Sequence, residues 1–495
     1  MHNDIRVVLI GDTGVGKSTL VTTLIKEMFF PNVQPVVPEV TIPPEVTPEN
    51  VTTHIIDTSP RQEYRNQLDI EIRKAHVIGL VYAVTERSTF YRISEFWLPY
   101  LRSLGVKCPV ILIGNQTDLR VTDMSASNLE NDVVPIMNEY PEVESCVECS
   151  AKDPTTVSEV FYFAQKAVLH PTGPLYNSRE HNLKPRCREA LTRIFKLCDT
   201  NKDGVLDDDE LNAFQSKCFH SPLHHKELAA VRTIVEECEP SGVTESGLTL
   251  EGFLYLHKLF IQRGRLETTW MVLRTFGYGD DLHLRPDYLL PILDVPSDCT
   301  VELSSQGIQF LTQLFDRHDK DRDGALSSDE LSEFFSTTPG NPWAEAIRAD
   351  TVCTTENGAL PLQNFLAQWH MLTTLDPNTT LSYLVYLGFD DEDVRHGLQV
   401  LKLKSPGGLL RSRSTRTVYR CLVMGAPGVG KTALLRAFID KPFAANSPTQ
   451  GCSVVNAIQM RGGRRYLLLE EPDTSDALAL LRSRRKSGRY DAICL

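Results

Sequence analysis

Eight residues near the N-terminus have the types and spacing of a phosphate-binding loop. An apolar run at residues 5–10 predicts a buried strand, and the residues after the loop predict a helix. Between them lies the sequence Gly11-Asp12-Thr13-Gly14-Val15-Gly16-Lys17-Ser18. Glycines let backbone N–H groups turn toward phosphate oxygens, and a helix N-terminus adds a favourable dipole. The predicted nucleotide-binding residues are Gly11, Gly14, Gly16, Lys17, Ser18 and Thr19, with Lys17 on the β- and γ-phosphates and Ser18 on Mg²⁺.

A second segment predicts which base is bound. The apolar run at residues 110–114 delivers Asn115-Gln116-Thr117-Asp118, which resembles the Asn-Lys-x-Asp motif of small GTPases. A carboxylate at Asp118 can accept two hydrogen bonds from guanine N1–H and the 2-amino group, whereas adenine offers neither donor. The pairing therefore selects GTP over ATP. Further along, Ser150, Ala151 and Lys152 match the small-GTPase loop whose backbone meets guanine O6.

Two more positions carry over from the small GTPases. Thr41 matches the switch threonine that senses Mg²⁺ and the γ-phosphate, and Asp57 matches the aspartate that holds Mg²⁺ through water. Either residue alone would be ordinary loop chemistry. Their order and spacing behind the phosphate-binding loop favour the functional reading, with Ser18, Thr41 and Asp57 as the predicted Mg²⁺ group.

The sequence departs from that family where hydrolysis is catalysed. The Asp-x-x-Gly-Gln pattern reads Asp57-Thr58-Ser59-Pro60-Arg61. Pro60 has no N–H to offer the γ-phosphate, and Arg61 cannot accept a hydrogen bond from the attacking water. Thr13 also replaces the usual glycine, and Gln116 replaces the usual lysine that lies along the base, which is expected to weaken nucleotide affinity. We expect nucleotide binding with slow intrinsic hydrolysis and an unidentified catalytic residue; Gln62 as a substitute and Arg61 as a built-in arginine finger stay open.

Two acidic segments fit every position of the twelve-residue EF-hand loop, in which oxygens at positions 1, 3, 5, 7, 9 and 12 surround Ca²⁺ and glycine at position 6 allows the turn. Acidic surface loops are the alternative. The predicted ligands of the first loop are Asp199, Asn201, Asp203, the Val205 carbonyl, Asp207 and Glu210. Those of the second loop are Asp319, Asp321, Asp323, the Ala325 carbonyl, Ser327 and Glu330.

The two loops are too far apart in sequence to be directly paired hands. Internal similarity after each one instead predicts a ligand-free partner, here called a silent hand, followed by an apolar helix. A lone EF-hand leaves its short loop strand unpaired, so Leu206 and Leu326 are predicted to pair with the silent hands. We hypothesise that the final helix of each repeat fills the groove of its hand.

A second complete phosphate-binding loop lies near the C-terminus. A predicted strand at residues 418–424 opens it, and its predicted nucleotide-binding residues are Gly425, Gly428, Gly430, Lys431 and Thr432, with Thr432 on Mg²⁺. Another strand is predicted at residues 466–469, but no Asp-x-x-Gly motif follows it. The base-reading strands of a six-stranded sheet are missing, so guanine specificity is not predicted here. The ending inside an apolar strand indicates a truncated isoform or an incomplete sequence.

Composition excludes several classes of protein. The 495 residues carry a net charge of -13, which argues against nucleic-acid binding because that needs a positive face. The 12 cysteines lack a disulfide-like framework, and the pair Cys146 and Cys149 has no second pair to complete a metal site. No apolar run reaches the ~20 residues needed to cross a bilayer.

The predicted fold class is multidomain, with an α/β P-loop GTPase domain, an all-α paired EF-hand module with degenerate partner hands, and a partial C-terminal α/β P-loop domain. The predicted boundaries are 1–169 for the N-terminal small-GTPase domain, 170–187 for a linker, 188–294 and 295–405 for the two EF-hand repeats, 406–416 for a second linker, and 417–495 for the incomplete C-terminal GTPase domain.

This order of domains resembles one family closely, the mitochondrial Rho GTPases called Miro. The resemblance covers essentially the whole chain and rests on both phosphate-binding loops, both EF-hand loops and residues 262–270. It implies GTP/GDP, Mg²⁺ and Ca²⁺ at two sites as cofactors. It also implies a tail-anchored protein on the cytosolic face of the mitochondrial outer membrane. The chain as given ends before the family's anchor, so by itself it is expected to be cytosolic. Motor adaptors and the kinesin and dynein machinery are the implied partners.

Two other functions are weighed against this regulatory GTPase. The first is a non-catalytic Ca²⁺-sensing adaptor that keeps its phosphate-binding loops as nucleotide-stabilised structure, which Pro60 and Arg61 favour. The second is an ATP-driven enzyme, which Asp118 disfavours.

Overall fold

The fold is that of a computed structural model of the 495-residue chain. The structure describes all residues except 1–3, 48, 121–126, 178–179, 290–292, 297, 344–350, 390–392, 403–415, 427, 443–452, 461–462, 473–489 and 495. Most of the linker predicted at 406–416 lies outside the described residues. Two compact units emerge from the contacts, Met1–Leu191 with Glu251–Leu282, and Thr192–Leu250 with His283–Leu495. The predicted domain boundaries stay a prediction.

The first unit contains a six-stranded sheet in the order β2-β3-β1-β4-β5-β6, parallel except for the antiparallel pair β2 and β3. Its strands are β1 (Asp4–Ile10), β2 (Val40–Ile42), β3 (Thr52–Asp57), β4 (Val77–Ala83), β5 (Val110–Asn115) and β6 (Val143–Glu148). The helices among them are α1 (Lys17–Lys26), α2 (Arg65–Lys74), α3 (Arg87–Arg92), α4 (Leu98–Ser103), α5 (Ser127–Glu139) and α6 (Pro154–Leu169).

Helices cover both faces of this sheet, which explains why its central strands are apolar throughout. Every residue of β4 and β5 is buried, as expected for parallel strands enclosed on two sides. Parallel strands bring their carboxyl ends to one edge, where ligands of open α/β sheets bind. The phosphate-binding loop, Asp57 and Asn115 follow or end β1, β3 and β5 and so meet at that edge.

The remaining elements lie outside the six-stranded sheet and the helices among its strands. The helices are α7 (Pro185–Cys198), α8 (Asp208–Phe219), α9 (His225–Cys238), α10 (Leu250–Gln262), α11 (Leu266–Thr275), α12 (Pro286–Leu289), α13 (Ser305–His318), α14 (Ser328–Phe334), α15 (Leu362–Leu375), α16 (Pro377–Tyr386) and α17 (Lys431–Phe438). The strands are β7 (Tyr176–Asn177), β8 (Asn182–Leu183), β9 (Val205–Leu206), β10 (Leu248–Thr249), β11 (Cys299–Leu303), β12 (Ala325–Leu326), β13 (Leu360–Pro361), β14 (Leu398–Lys402), β15 (Val418–Val423), β16 (Ser453–Met460), β17 (Gly463–Glu470) and β18 (Ala492–Cys494).

The segment after α6 is packed against the first unit. In the range predicted as a linker, β7 and β8 form an antiparallel pair, and the adjoining α7 begins at Pro185. The Trp270 indole of α11 donates a hydrogen bond to the Pro171 carbonyl (3.0 Å), and Glu267 pairs with Lys166 of α6 (3.1 Å). These contacts secure the end of α6.

Both EF-hand loops pair with silent hands, which confirms that prediction. In the second unit, β9 pairs antiparallel with β10, with Leu206 opposite Leu248. Likewise β12 pairs with β13, with Leu326 opposite Leu360. In each pair, the silent hand supplies backbone hydrogen-bond partners for a loop strand only two residues long. A strand this short could not be stable alone. The groove-filling role of the last helices stays a prediction.

The second hand shares a hydrophobic core with the C-terminal sheet, whose order is β16-β17-β15-β18. Phe365 and Trp369 of α15 belong to the same buried cluster as Val455 and Leu468 of the sheet. The predicted strand at residues 466–469 is confirmed as part of β17. This α/β plus helical arrangement confirms the predicted fold class. Among the described residues, no helix combines the length and apolar character needed to span a membrane.

His370 of α15 gives this shared core a predicted pH dependence. It is fully buried against the Tyr466 ring (4.1 Å between centroids), and burial lowers its pKa to about 3. An unfolded histidine has a pKa of about 6.5, so the folded state binds fewer protons below that pH. The contribution of His370 to the free energy of unfolding should therefore be complete above about pH 6.5. It should decrease as the pH falls, by about 1.4 kcal/mol at pH 5.5.

Urea unfolding at pH 7.0 and 5.5, followed by tryptophan fluorescence, measures this decrease. We expect His370→Phe to reduce the difference between the two pH values. The exposed, left-handed His220 offers the control His220→Asn, which should leave the difference unchanged. An unaltered pH dependence in His370→Phe would contradict the assignment.

Candidate nucleotide and metal sites

The phosphate-binding loop between β1 and α1 needs glycine for close packing. Gly16 has φ 93°, and a Cβ there would lie 2.3 Å from Nδ2 of Asn115. Gly11 has φ 138°, and a Cβ there would lie 2.2 Å from the Val81 carbonyl oxygen. Both backbone conformations favour glycine, so the spacing seen in the sequence reflects steric limits.

Lys17 lies where it can meet a polyphosphate. Its side chain is buried, and Nζ donates hydrogen bonds to the carbonyls of Gly11 and Asp12, both at 2.8 Å. Burial lowers its pKa to about 8, against the opposing effects of Asp57 and Asp12. A lysine held this way can exchange carbonyl oxygens for phosphate oxygens without moving far.

Ser18 and Asp57 are brought together as a cation site requires. The Ser18 hydroxyl donates to Oδ2 of Asp57 at 2.5 Å. Asp57 is only 5% exposed, and its Oδ1 has no hydrogen-bond partner among the described residues. A buried carboxylate oxygen without a donor costs free energy, which a cation would recover. The residues therefore fit Mg²⁺.

Thr41 lies elsewhere in this conformation. It sits on β2 opposite His54, and its hydroxyl is 3.1 Å from Nδ1 of that histidine. The neighbouring loop contacts the cation site instead, since the Val37 N–H donates to Oδ2 of Asp57 (2.9 Å). The structure does not place Thr41 beside Ser18 or Asp57. Its contact with Mg²⁺ therefore stays a prediction, and it requires the loop around Val37 to move.

The base-reading residues converge at the ends of β5 and β6. Asn115 donates through Nδ2 to the Val15 carbonyl (2.9 Å) and accepts the Ala151 N–H (3.1 Å). Asp118 accepts the Ser150 hydroxyl (2.7 Å) and pairs with Lys152 (2.8 Å). The hydrogen bond from Lys152 holds the pKa of Asp118 below its usual value, which keeps the carboxylate ionised for guanine.

Phe29 also lies at this site, although it was not predicted from the sequence. The ammonium of Lys152 lies 5.8 Å from the centre of the half-buried Phe29 ring. An aromatic ring beside Lys152, which itself pairs with Asp118, offers a surface on which a purine can stack. Phe29 follows α1 without a recognisable motif, so only the fold reveals it.

Arg61 borders a cavity of about 410 Å³ that also involves Asp57, Thr58 and Tyr64. The backbone N–H of Arg61 donates to the Ser59 hydroxyl at 3.4 Å. No catalytic role follows from these contacts. The water-orienting residue stays unidentified.

The second phosphate-binding loop repeats the first at lower burial. Nζ of Lys431 donates to the carbonyls of Gly425 (3.2 Å) and Ala426 (3.1 Å). The Thr432 hydroxyl donates to Oε2 of Glu471 at 2.9 Å. Glu471 is 4% exposed and directly follows β17, as Asp57 ends β3. Because no Asp-x-x-Gly motif follows this strand, Glu471 was not predicted from the sequence as the acidic partner of Thr432.

In the first EF-hand loop, the first and last predicted ligands accept hydrogen bonds from backbone N–H groups of the loop. Glu210 accepts the N–H groups of Thr200 (2.7 Å) and Asp207 (3.2 Å) through its two oxygens. Asp199 accepts the Gly204 N–H at 3.0 Å through Oδ2, while its buried Oδ1 has no hydrogen-bond partner among the described residues. The free oxygen fits a cation.

The second loop follows the same pattern. Carboxylate oxygens of Asp319, Asp321 and Asp323 lie within 4.8 Å of one another. Glu330 accepts the Lys320 N–H (2.8 Å), and Oδ1 of Asp319 again has no partner in the described part of the chain. Hard oxygen ligands in this number are what Ca²⁺ prefers.

The lowered pKa of Lys17 predicts a pH-dependent affinity for GDP. Phosphate favours the ammonium form, so the complex holds more protons than the free protein above pH 8. GDP affinity should be steady below pH 8 and fall above it, toward about tenfold per pH unit. Fluorescent GDP titrations from pH 7 to 9 test this, with Lys431→Ala throughout to weaken the second loop. Lys17→Arg keeps its charge, and an equal slope in that control would contradict the assignment.

Calcium stoichiometry tests both loops. We expect calorimetry of the whole chain to find two bound Ca²⁺, and Glu210→Gln or Glu330→Gln to weaken one site each by about a hundredfold, because ligand charge sets EF-hand affinity. The neighbouring non-ligand positions supply matched controls, Asp209→Asn and Asp329→Asn, which should keep both sites. Two unchanged sites in either glutamine variant would rule out that loop.

Comparisons with known proteins agree with this geometry. The Ras family model matches residues 6–170, EF hand models match 192–215 and 311–335, and EF hand associated models match 221–307 and 343–407. The chain is 48% identical over 535 residues to Mitochondrial Rho GTPase 1 of Cryptococcus neoformans var. neoformans serotype D, covering 99% of this chain and 78% of that relative. It is 47% identical over 560 residues to Mitochondrial Rho GTPase 1 of Mycosarcoma maydis, covering 100% of this chain and 74% of that relative.

The matched families imply which cofactors the two kinds of site use. A Ras-family domain implies GTP or GDP with Mg²⁺, and EF-hands imply Ca²⁺. The chain is therefore a calcium-binding GTP hydrolase that belongs to the mitochondrial Rho GTPase family.

Proposed function

We propose that this protein is a two-input switch, in which GTP or GDP at the first site and Ca²⁺ at two EF-hand loops select its partners. The observation that carries the proposal is the recurrence of one feature at three places. Asp57, Asp199 and Asp319 each have a buried carboxylate oxygen without a hydrogen-bond partner among the described residues. Each oxygen is stabilised when its cation binds, so cation occupancy changes the free energy of the surrounding loop.

The switch is proposed to hydrolyse GTP slowly by itself. Pro60 cannot donate to the γ-phosphate, and Arg61 cannot accept a hydrogen bond from the attacking water. Arg61 is exposed at the edge of its cavity, where a partner could reach it. A partner protein would then complete the catalytic group, as GTPase-activating proteins do in general.

Single-turnover GTP hydrolysis by the whole chain tests this proposal. We expect a rate on the order of 10⁻⁴ s⁻¹ or lower, comparable with Ras-type domains without a partner. Lys17→Ala removes the phosphate contact of the first site, and Lys431→Ala removes that of the second. Turnover within minutes that only Lys17→Ala abolishes would contradict the proposed slow switch.

The second candidate is a Ca²⁺-sensing adaptor, in which GTP hydrolysis takes no part in the selection of partners. The same departures at Pro60 and Arg61 favour it. Partner capture separates the two functions, since a switch binds differently with GTP and GDP while the adaptor responds to Ca²⁺ alone. Failure of the chain to bind GTP would favour the adaptor.

The cellular role is proposed from the relatives' name, which places them in mitochondria. We propose a mitochondrial location, at the cytosolic face of the outer membrane, and a role in the trafficking, distribution and homeostasis of the organelle. Motor adaptors of kinesin and dynein are the proposed partners. Imaging of the tagged protein with a mitochondrial marker tests the location, and a diffuse signal would contradict it.

A further inference from the structure

Gln116 connects the base-reading loop to the phosphate-binding loop. Its amide nitrogen Nε2 donates to the Gly14 carbonyl at 3.1 Å. Its amide oxygen Oε1 accepts the Thr85 hydroxyl at 3.0 Å. The residue directly before it, Asn115, holds the next carbonyl of the same loop, that of Val15, at 2.9 Å. The neighbouring side chains of Asn115 and Gln116 thus donate hydrogen bonds to the neighbouring carbonyls of Val15 and Gly14.

Holding these carbonyls also sets the direction of N–H groups. The C=O of Gly14 and the N–H of Val15 belong to one planar trans peptide unit, in which the two groups point in opposite directions. A side chain that draws the Gly14 oxygen toward the base-reading loop therefore turns the Val15 N–H the other way. Phosphate-binding loops use such inward N–H groups to hold the α- and β-phosphates.

Glutamine suits this position because it both donates and accepts. Lysine has only donors, so it could contact Gly14 but could not accept the Thr85 hydroxyl. Thr85 follows β4, and Gln116, with φ 71°, directly follows β5, so neighbouring strands fix the two residues beside each other. The hydroxyl of Thr85 determines which end of the amide faces Gly14.

We propose that Gln116 is a positioning residue for nucleotide binding, oriented by Thr85, which presents the Val15 N–H to the β-phosphate. The inference rests on GTP and GDP binding at the first site. It replaces the expectation from sequence that Gln116 weakens the site with a specific role for this side chain.

Competition with fluorescent GDP on the whole chain, carrying Lys431→Ala throughout, measures GDP and GMP affinities. We expect Gln116→Met to raise the Kd for GDP about five- to tenfold and that for GMP less than twofold, because GMP lacks the β-phosphate. A general loss of structure would weaken both nucleotides equally. Gln116→Lys keeps a donor for Gly14 and should keep the Kd for GDP within about twofold.

The Thr85 variants test the orientation separately. Thr85→Val should raise the Kd for GDP two- to threefold alone and have no effect when combined with Gln116→Lys, which has no acceptor to orient. If Gln116→Met fails to fold, the comparison of Thr85→Val alone with Thr85→Val combined with Gln116→Lys still tests the inference. Equal effects on GDP and GMP, or an undiminished Thr85→Val effect beside Gln116→Lys, would overturn the inference. No GDP binding by the starting protein would overturn the proposed function with it.

Discussion

The contact between Asn115 and the phosphate-binding loop is the interaction on which the first site depends. Asn115 is 1% exposed at the end of β5 and joins the Val15 carbonyl on one side to the Ala151 N–H on the other. One buried amide thus positions the loop that holds phosphate relative to the loop that meets the base. The contact needs glycine at position 16, because a Cβ there would collide with the amide.

Cation binding appears as a shared constraint across otherwise unrelated parts of the chain. A GTPase-type carboxylate at the end of a parallel strand and the first ligands of two EF-hand loops each leave one oxygen unsatisfied among the described residues. Buried polar groups are normally hydrogen-bonded, so such exceptions require a physical cause. The chemistry is hard oxygen binding hard cations in every case, although helices, strands and turns supply it differently.

The departures from the small-GTPase pattern affect binding and catalysis unequally. Binding groups are retained, since Lys17, Asn115 and Asp118 all make specific contacts. The groups that would act on water are missing at positions 60 and 61, because proline lacks an N–H and arginine lacks an acceptor. A switch that keeps bound GTP until a partner stimulates hydrolysis needs the binding groups but not the catalytic ones.

Sequence by itself determined the residue sets whose chemistry depends on local spacing. Both phosphate-binding loops and both EF-hand loops are contiguous, so the chain's own turns bring their ligands together. The pairing of Leu206 and Leu326 with silent hands was also predictable, since an unpaired strand edge demands a partner. Continuous apolar runs indicated the parallel strands whose carboxyl ends form the site.

Only the tertiary structure decided which distant residues complete those sites. Phe29, Glu471 and the Thr85–Gln116 pair have no motif, because their roles come from neighbouring strands and loops rather than from spacing along the chain. Thr41 is the opposite case. Its position in the sequence matches the switch threonine of small GTPases, but the structure places it on β2 beside His54. Sequence spacing specifies a contact where the backbone is locally rigid, and long-range packing specifies it everywhere else.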